Sequence, residues 1–213
     1  ECKASLDASL EKLKTDYVDL MLLHQPFGDA YGAWRALEEY YEAGKIKAIG
    51  ISNFYADRMV EFANFNRIRP MVNQVEVHPF NQQKELKKWA DKYNIQVEAW
   101  APFGEGRKGL FDNEILKEIG AKYGKTTAQV MLRWHLQRGI VVIPKSTHKE
   151  RMEENFQVFD FTLSEEDMNK IADMDTATSA FFSHQDPAMV EWFVQMVEQR
   201  KKNQDCTKEK KNW

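Results

Sequence analysis

Five short apolar runs of strand length, set between segments of helical period, constrain the fold of this chain more than any other feature. They are Tyr17 to Leu23, Ile46 to Ile51, Met71 to Val77, Ile95 to Trp100 and Ile140 to Ile143. Leu6, Leu10 and Leu13 precede the first run at helical spacing. Trp34, Leu37 and Tyr41, then Met59 and Phe62, then Leu86, Trp89 and Tyr93 lie between the next ones. The first four runs start about 25 residues apart, the length of a βα unit. Runs buried on both faces and joined by helices predict an α/β class with a parallel sheet.

Beyond Trp100 come a glycine-rich loop, a helix from about Asp112 closed by Gly124, and another from Thr126 closed by Gly139. A helix after Lys145, one capped by Ser164 with Asp167, and a last one from Asp186-Pro187 complete the pattern. An open doubly wound sheet gathers its ligand at one switch point, whereas a barrel draws groups from many strand ends around one mouth. Here His24, Ser52-Asn53, Gln74 to His78, Glu98 to Pro102 and Lys145-Ser146 follow successive runs. The expectation is therefore a (β/α)8 TIM barrel, of which the chain carries about the last five βα units plus C-terminal helices. It reads as a single domain over 1–213, incomplete at its N-terminus.

Hydrophobic residues at 43% and charged residues at 30% exclude a disordered chain. A net charge of -3 gives no field that favours nucleic acid or an anionic membrane, so a small, weakly charged partner fits better. No apolar run approaches the ~18 residues of a membrane span. Cys2 and Cys206 stand near opposite ends, which gives neither a disulfide framework nor metal-ligand spacing and points to a reducing, cytoplasmic setting with no metal. The chain opens on Glu1 with no apolar leader, and an upstream segment is expected.

Several motifs carry chemistry, each beside a plainer reading. Gly104-x-Gly106-x-x-Gly109 matches the dinucleotide fingerprint, but Pro102-Phe103 intervenes after the strand and the helix starts past the third glycine, so a mobile loop near a ligand is preferred. Ile143-Pro144-Lys145-Ser146, with Arg151 and then Glu154-Asn155, places a lysine, a hydroxyl and an arginine at a helix start. That set suits a phosphate group, an ordinary solvated turn being the alternative. A Schiff-base lysine would need a desolvated amine. His24 is either a buried structural histidine or a hydrogen-bond partner for a substrate carbonyl. Ser52, Asn53 and Gln74 suit a carboxamide, and Trp100 offers a face for stacking or for plain core packing. Glu76 and Glu98 are the pair a glycosidase would need. The six basic and two acidic residues from Arg200 to Lys211 read as a solvated helix end.

Taken in order, Asp16 to Pro26, Gly44 to Phe54, Val72 to Glu76, Ala99 to Phe103 and Ile143 to Ser146 with Arg151, Glu154 and Asn155 resemble the aldo-keto reductase family. The likeness covers roughly residues 5 to 175 and is most like the microbial, 2,5-diketo-gluconate-reductase-like members. It implies a (β/α)8 barrel that binds NADPH without a Rossmann domain. By that resemblance Ser52, Asn53 and Gln74 hold the nicotinamide carboxamide and Trp100 stacks on the ring. Ala101 to Phe103 line the pyrophosphate path, Lys145, Ser146 and Arg151 grip the 2'-phosphate, and Glu154 with Asn155 face the adenine.

The same resemblance implies reduction of aldehydes or ketones by hydride transfer, with His24 as the carbonyl-orienting histidine. The family's tyrosine acid and its lysine and aspartate belong to motifs on the first strands and have no match here. The expected partner is a small carbonyl substrate, with neither nucleic acid nor membrane, and the expected state a monomer. A non-catalytic NADPH-binding or regulatory subunit is the competing class. Phe103 to Asn113 and Phe181 to Trp192 are expected to shape the substrate cavity.

Overall fold

The structure is a computed structural model that describes the backbone of residues 1–209 and the side chains through Arg200. The readings of Cys206 and of the basic side chains beyond Arg200 lie outside the described residues. Two compact units are present, Glu1–Ala180 and the segment from Phe181 onward.

The first unit opens with α1 (Cys2–Leu13) and then alternates strand and helix. The order is β1 (Val18–Leu23), α2 (Ala30–Glu42), β2 (Ile46–Ser52), α3 (Ala56–Phe65), β3 (Val72–Glu76), α4 (Lys84–Tyr93) and β4 (Gln96–Trp100). A 3-10 stretch (Gly104–Asp112), α5 (Glu114–Tyr123) and α6 (Thr127–Gln137) precede β5 (Val141–Val142), and α7 (Lys149–Phe156) and α8 (Glu165–Ala172) follow it. The strands form one sheet in the order β1-β2-β3-β4-β5, each parallel to the next. Sequence order equals spatial order, so there is no switch point of the open α/β type. The sheet is an arc of a (β/α)8 barrel.

The core lies between this sheet and its helices. Trp34 is fully buried and donates its indole N–H to the Ile68 carbonyl (2.9 Å). The Phe62 ring stands 4.9 Å from that of Phe54, 5.0 Å from Tyr31 and 5.2 Å from Trp34. Burial of one such ring contributes about 2 to 3 kcal/mol. Gly50 is required where β1, β2 and β3 meet, because a Cβ there would lie 2.6 Å from Leu22 Cδ2 and 2.8 Å from the Val72 carbonyl oxygen.

Three expectations need correction. The strands are not buried on both faces. Val75, Val97 and Ala99 are buried, whereas Gln74, Glu98 and Trp100 point the other way and are half-buried, and Asp19, Leu20 and Val141 on the two outer strands are exposed. The run from Ile140 to Ile143 pairs as a strand only at Val141–Val142. Ile140 bonds back to the His135 carbonyl at the end of α6 (3.0 Å), and Pro144 has no N–H to offer. The helix expected from Asp112 begins at Glu114, since Asn113 is the residue whose side chain accepts the Leu116 N–H (3.2 Å).

The second unit contains α9 (Pro187–Glu209), preceded by Phe182, whose ring centroid lies 4.8 Å from that of His184 and 5.5 Å from that of Phe193. Among the described residues no helix is long and apolar enough to cross a membrane.

Candidate active site

The C-terminal ends of β1 to β4 are stitched together by one residue. Asn53, just past β2, takes a left-handed backbone (φ 63°), a conformation asparagine tolerates better than most side chains. Its backbone N–H reaches the Gln74 carbonyl on β3 (2.9 Å) and its amide nitrogen donates to the His24 carbonyl past β1 (3.2 Å). Its amide oxygen accepts from the Trp100 indole N–H at the end of β4 (2.8 Å). Ser52 is buried beside it and donates its hydroxyl to the same Gln74 carbonyl (2.9 Å). Parallel register sets Gln74 opposite Glu98, whose carboxylate accepts from the Gln74 side-chain amide (2.5 Å).

His24, Ser52, Asn53, Gln74 and Trp100 thus share one edge of the sheet. The His24 side chain is exposed, which removes the alternative of a buried structural histidine. Glu76 departs from a glycosidase role. Its buried carboxylate accepts from His78 Nε2 (2.9 Å), the Ala180 N–H (2.7 Å) and the Ser179 hydroxyl (2.5 Å). Burial alone would raise its pKa, but these three hydrogen bonds together hold it below the ordinary carboxylate value, the opposite of what a general acid needs.

A cleft of about 430 Å³ opens beyond the end of β5. Lys145, Ser146, Thr147 and His148 line it before α7, and Arg151, Glu154 and Asn155 line it from α7 itself. Phe103, Phe111, Thr126, Thr127 and Ala128 form the rest of its wall. Lys145 and Arg151 are exposed and neither forms an ion pair among the described residues, which leaves two cations directed at one space. Exposure of Lys145 removes the Schiff-base alternative, which needs a desolvated amine. The α7 N-cap, His148, makes no side-chain capping bond, so the first-turn N–H groups remain available to an anion. Glu154 is held from the wall by the Thr126 hydroxyl (2.5 Å). This donor set of two cations, hydroxyls and free amides fits a phosphate monoester.

Ala101 does not line the cleft. It has a left-handed backbone (φ 49°) and its carbonyl accepts the Gly104 N–H (2.8 Å). The glycine triplet lies in the 3-10 stretch, with Glu105, Gly106, Lys108 and Gly109 at positive φ and no α-helix N-terminus beside it. This stretch is tied down by Lys108 to the Ser179 carbonyl (3.2 Å) and by Arg107 to the Ala180 carbonyl (3.3 Å). Thr127, Ala128, Thr147 and His148 escaped the sequence reading, while Phe111 lies within the Phe103 to Asn113 stretch expected to shape the substrate cavity and lines this cleft instead. Thr126 carried a signal, as a helix cap.

A parallel arc whose strand ends form a polar mouth, beside a cationic cleft, defines a (β/α)8-barrel protein with a site suited to an anionic ligand. The chain belongs to the aldo/keto reductase family, whose pattern it matches over residues 1–176. It is 51% identical over 169 residues to glyoxal reductase of Bacillus subtilis, covering 79% of this chain and 60% of that protein. The chain thus spans about 60% of the length of such relatives. An aldo-keto reductase from a Medee basin deep-sea metagenome superposes with TM-score 0.84 at 42% identity, covering 87% of this chain and 69% of that one. A silkworm (Bombyx mori) aldo-keto reductase complexed with NADPH gives 0.79 at 35% identity, covering 84% and 61%.

Proposed function

We propose that the chain is the cofactor-binding part of an NADPH-dependent reductase of small aldehydes and ketones, dicarbonyls such as glyoxal among them. The observation that carries this reading is the Asn53-centred joining of four strands next to a cleft whose Lys145 and Arg151 have no ion-pair partner among the described residues. Ser52, Asn53 and Gln74 offer hydroxyl and amide groups to a carboxamide, and the half-buried Trp100 indole offers a face to its ring. Lys145, Ser146 and Arg151 take the 2'-phosphate, with Glu154 and Asn155 towards the adenine. Phe103 and Ala101 border the path between the two.

Bound in this way, NADPH supplies a hydride to the carbonyl carbon. The exposed His24 imidazole donates an N–H to the substrate oxygen and sets its orientation while negative charge grows there. The general acid, a tyrosine with its lysine and aspartate, lies in our reading in a segment N-terminal to Glu1, so that residues 1–180 complete one barrel with that segment. Loss of such an acid typically lowers a rate by ~10² to 10⁴. The protein works in the cytoplasm as a monomer in this reading.

The test is NADPH oxidation by the complete protein, followed by absorbance with glyoxal and a panel of aldehydes and ketones. Consumption that depends on the carbonyl is the expected result, and none across the panel overturns the proposal. Single-turnover oxidation of bound NADPH separates an enzyme from a non-catalytic binding subunit.

A further inference from the structure

The cofactor reading leaves the Glu98 carboxylate without a role, yet it sits on the mouth-facing side of β4 against Gln74. We infer that Glu98 is a positioning residue that fixes the Gln74 amide so that its oxygen, and not its nitrogen, faces the nicotinamide. The inference rests on the proposed NADPH reading and deepens it. The two residues are register partners in adjacent parallel strands, so the sheet itself sets their approach. A carboxylate has only acceptors, and a glutamine amide has one accepting and one donating end. The nitrogen must therefore turn to Glu98, as the 2.5 Å contact has it. The amide oxygen then points away and has no hydrogen-bond donor among the described residues.

An outward oxygen at the strand-end mouth accepts; it cannot donate. Ser52 contributes a hydroxyl and Asn53 an amide whose nitrogen already serves His24 and Ser52 (3.2 and 3.1 Å). Gln74 is thus the group of this set that is oriented to accept an N–H. A nicotinamide presents a carboxamide NH₂, and its 3-acetylpyridine analogue presents a methyl group in the same place. Glu98 makes the site choose between them without touching either.

The experiment measures dissociation constants of the chain for NADPH and for reduced 3-acetylpyridine adenine dinucleotide phosphate, by fluorescence, in the native protein, Glu98→Gln and Glu98→Leu. The native chain should prefer NADPH roughly tenfold, the worth of one buried hydrogen bond. In both variants the Gln74 amide is free to turn, and the preference should fall to about twofold or less. A tenfold preference retained in both variants overturns the role of Glu98 and leaves the cofactor reading intact. A native chain that binds neither nucleotide overturns that reading and this inference with it. The native chain also gives an independent reading if a variant does not fold. One Gln74 side-chain amide proton should resonate well downfield, as a proton held by a carboxylate does, and ordinary shifts for both contradict the pairing.

Discussion

Arg151 and Asn53 show how single residues divide the work of the site. Asn53 accepts a left-handed backbone because its side chain is held at both ends, by Trp100 and by the His24 carbonyl, so the geometry is over-determined by its neighbours. Arg151 is the opposite case, an exposed guanidinium that lines the cleft together with Lys145. A charge-assisted, two-pronged contact with a phosphate is worth about 1.5 to 3 kcal/mol. Arg151→Ala should therefore weaken NADPH binding by roughly ten- to a hundredfold and leave NADH binding within about twofold. Equal losses for both nucleotides in a fluorescence titration would remove the phosphate assignment.

At the level of elements, α6 matters because its N-terminus is also a wall of the cleft. Thr126 accepts the Gln129 N–H (3.3 Å) while Gln129 Oε1 accepts the Thr126 N–H (3.1 Å), a reciprocal cap that starts the helix. The Thr126 hydroxyl also holds Glu154 on α7. Thr126→Ala should lower the unfolding free energy by about 1 kcal/mol, seen as a lower urea midpoint, and should weaken NADPH through the loosened Glu154. An unchanged midpoint would contradict the cap. The start of α6 was legible because threonine before a periodic apolar run is a helix signal with a mechanism. The start of α5 was not, because Asp112 and Asn113 are equally good caps and only the Leu116 N–H distinguishes them. The length of β5 was hidden for a related reason, since Ile140 is as apolar as its neighbours but its N–H belongs to the end of α6.

The whole molecule depends on long-range packing that sequence expresses poorly. Ser52, Asn53 and Trp100 could be placed at strand ends because apolar runs stop there. The Gln74–Glu98 contact needed the register, and the Thr127, Phe111 and Ala128 wall needed the tertiary fold, since they come from segments distant from Lys145 in sequence. His135 shows the energetic side of this packing. Its fully buried ring lies between the carbonyls of Met131 (2.7 Å) and Val77 (2.9 Å), and burial pushes its pKa down to about 4 although both carbonyls favour the protonated form. The unfolded chain, with a histidine near 6.5, takes up this proton first. Stability from this group is therefore complete above pH 6.5 and lost as pH falls towards 4. Between pH 6.5 and 4.5 the loss from this group should be on the order of 2 to 3 kcal/mol. Urea unfolding at stepped pH reads it, and a flat profile would mean that the ring is protonated in the fold.

The most direct measurement is a crystal structure of the chain with NADPH. The account predicts the nicotinamide ring against the Trp100 indole, its carboxamide on Ser52, Asn53 and Gln74, and the 2'-phosphate between Lys145 and Arg151. A nucleotide bound with its phosphate away from Lys145 and Arg151, or with its ring away from the ends of β2 to β4, would contradict it.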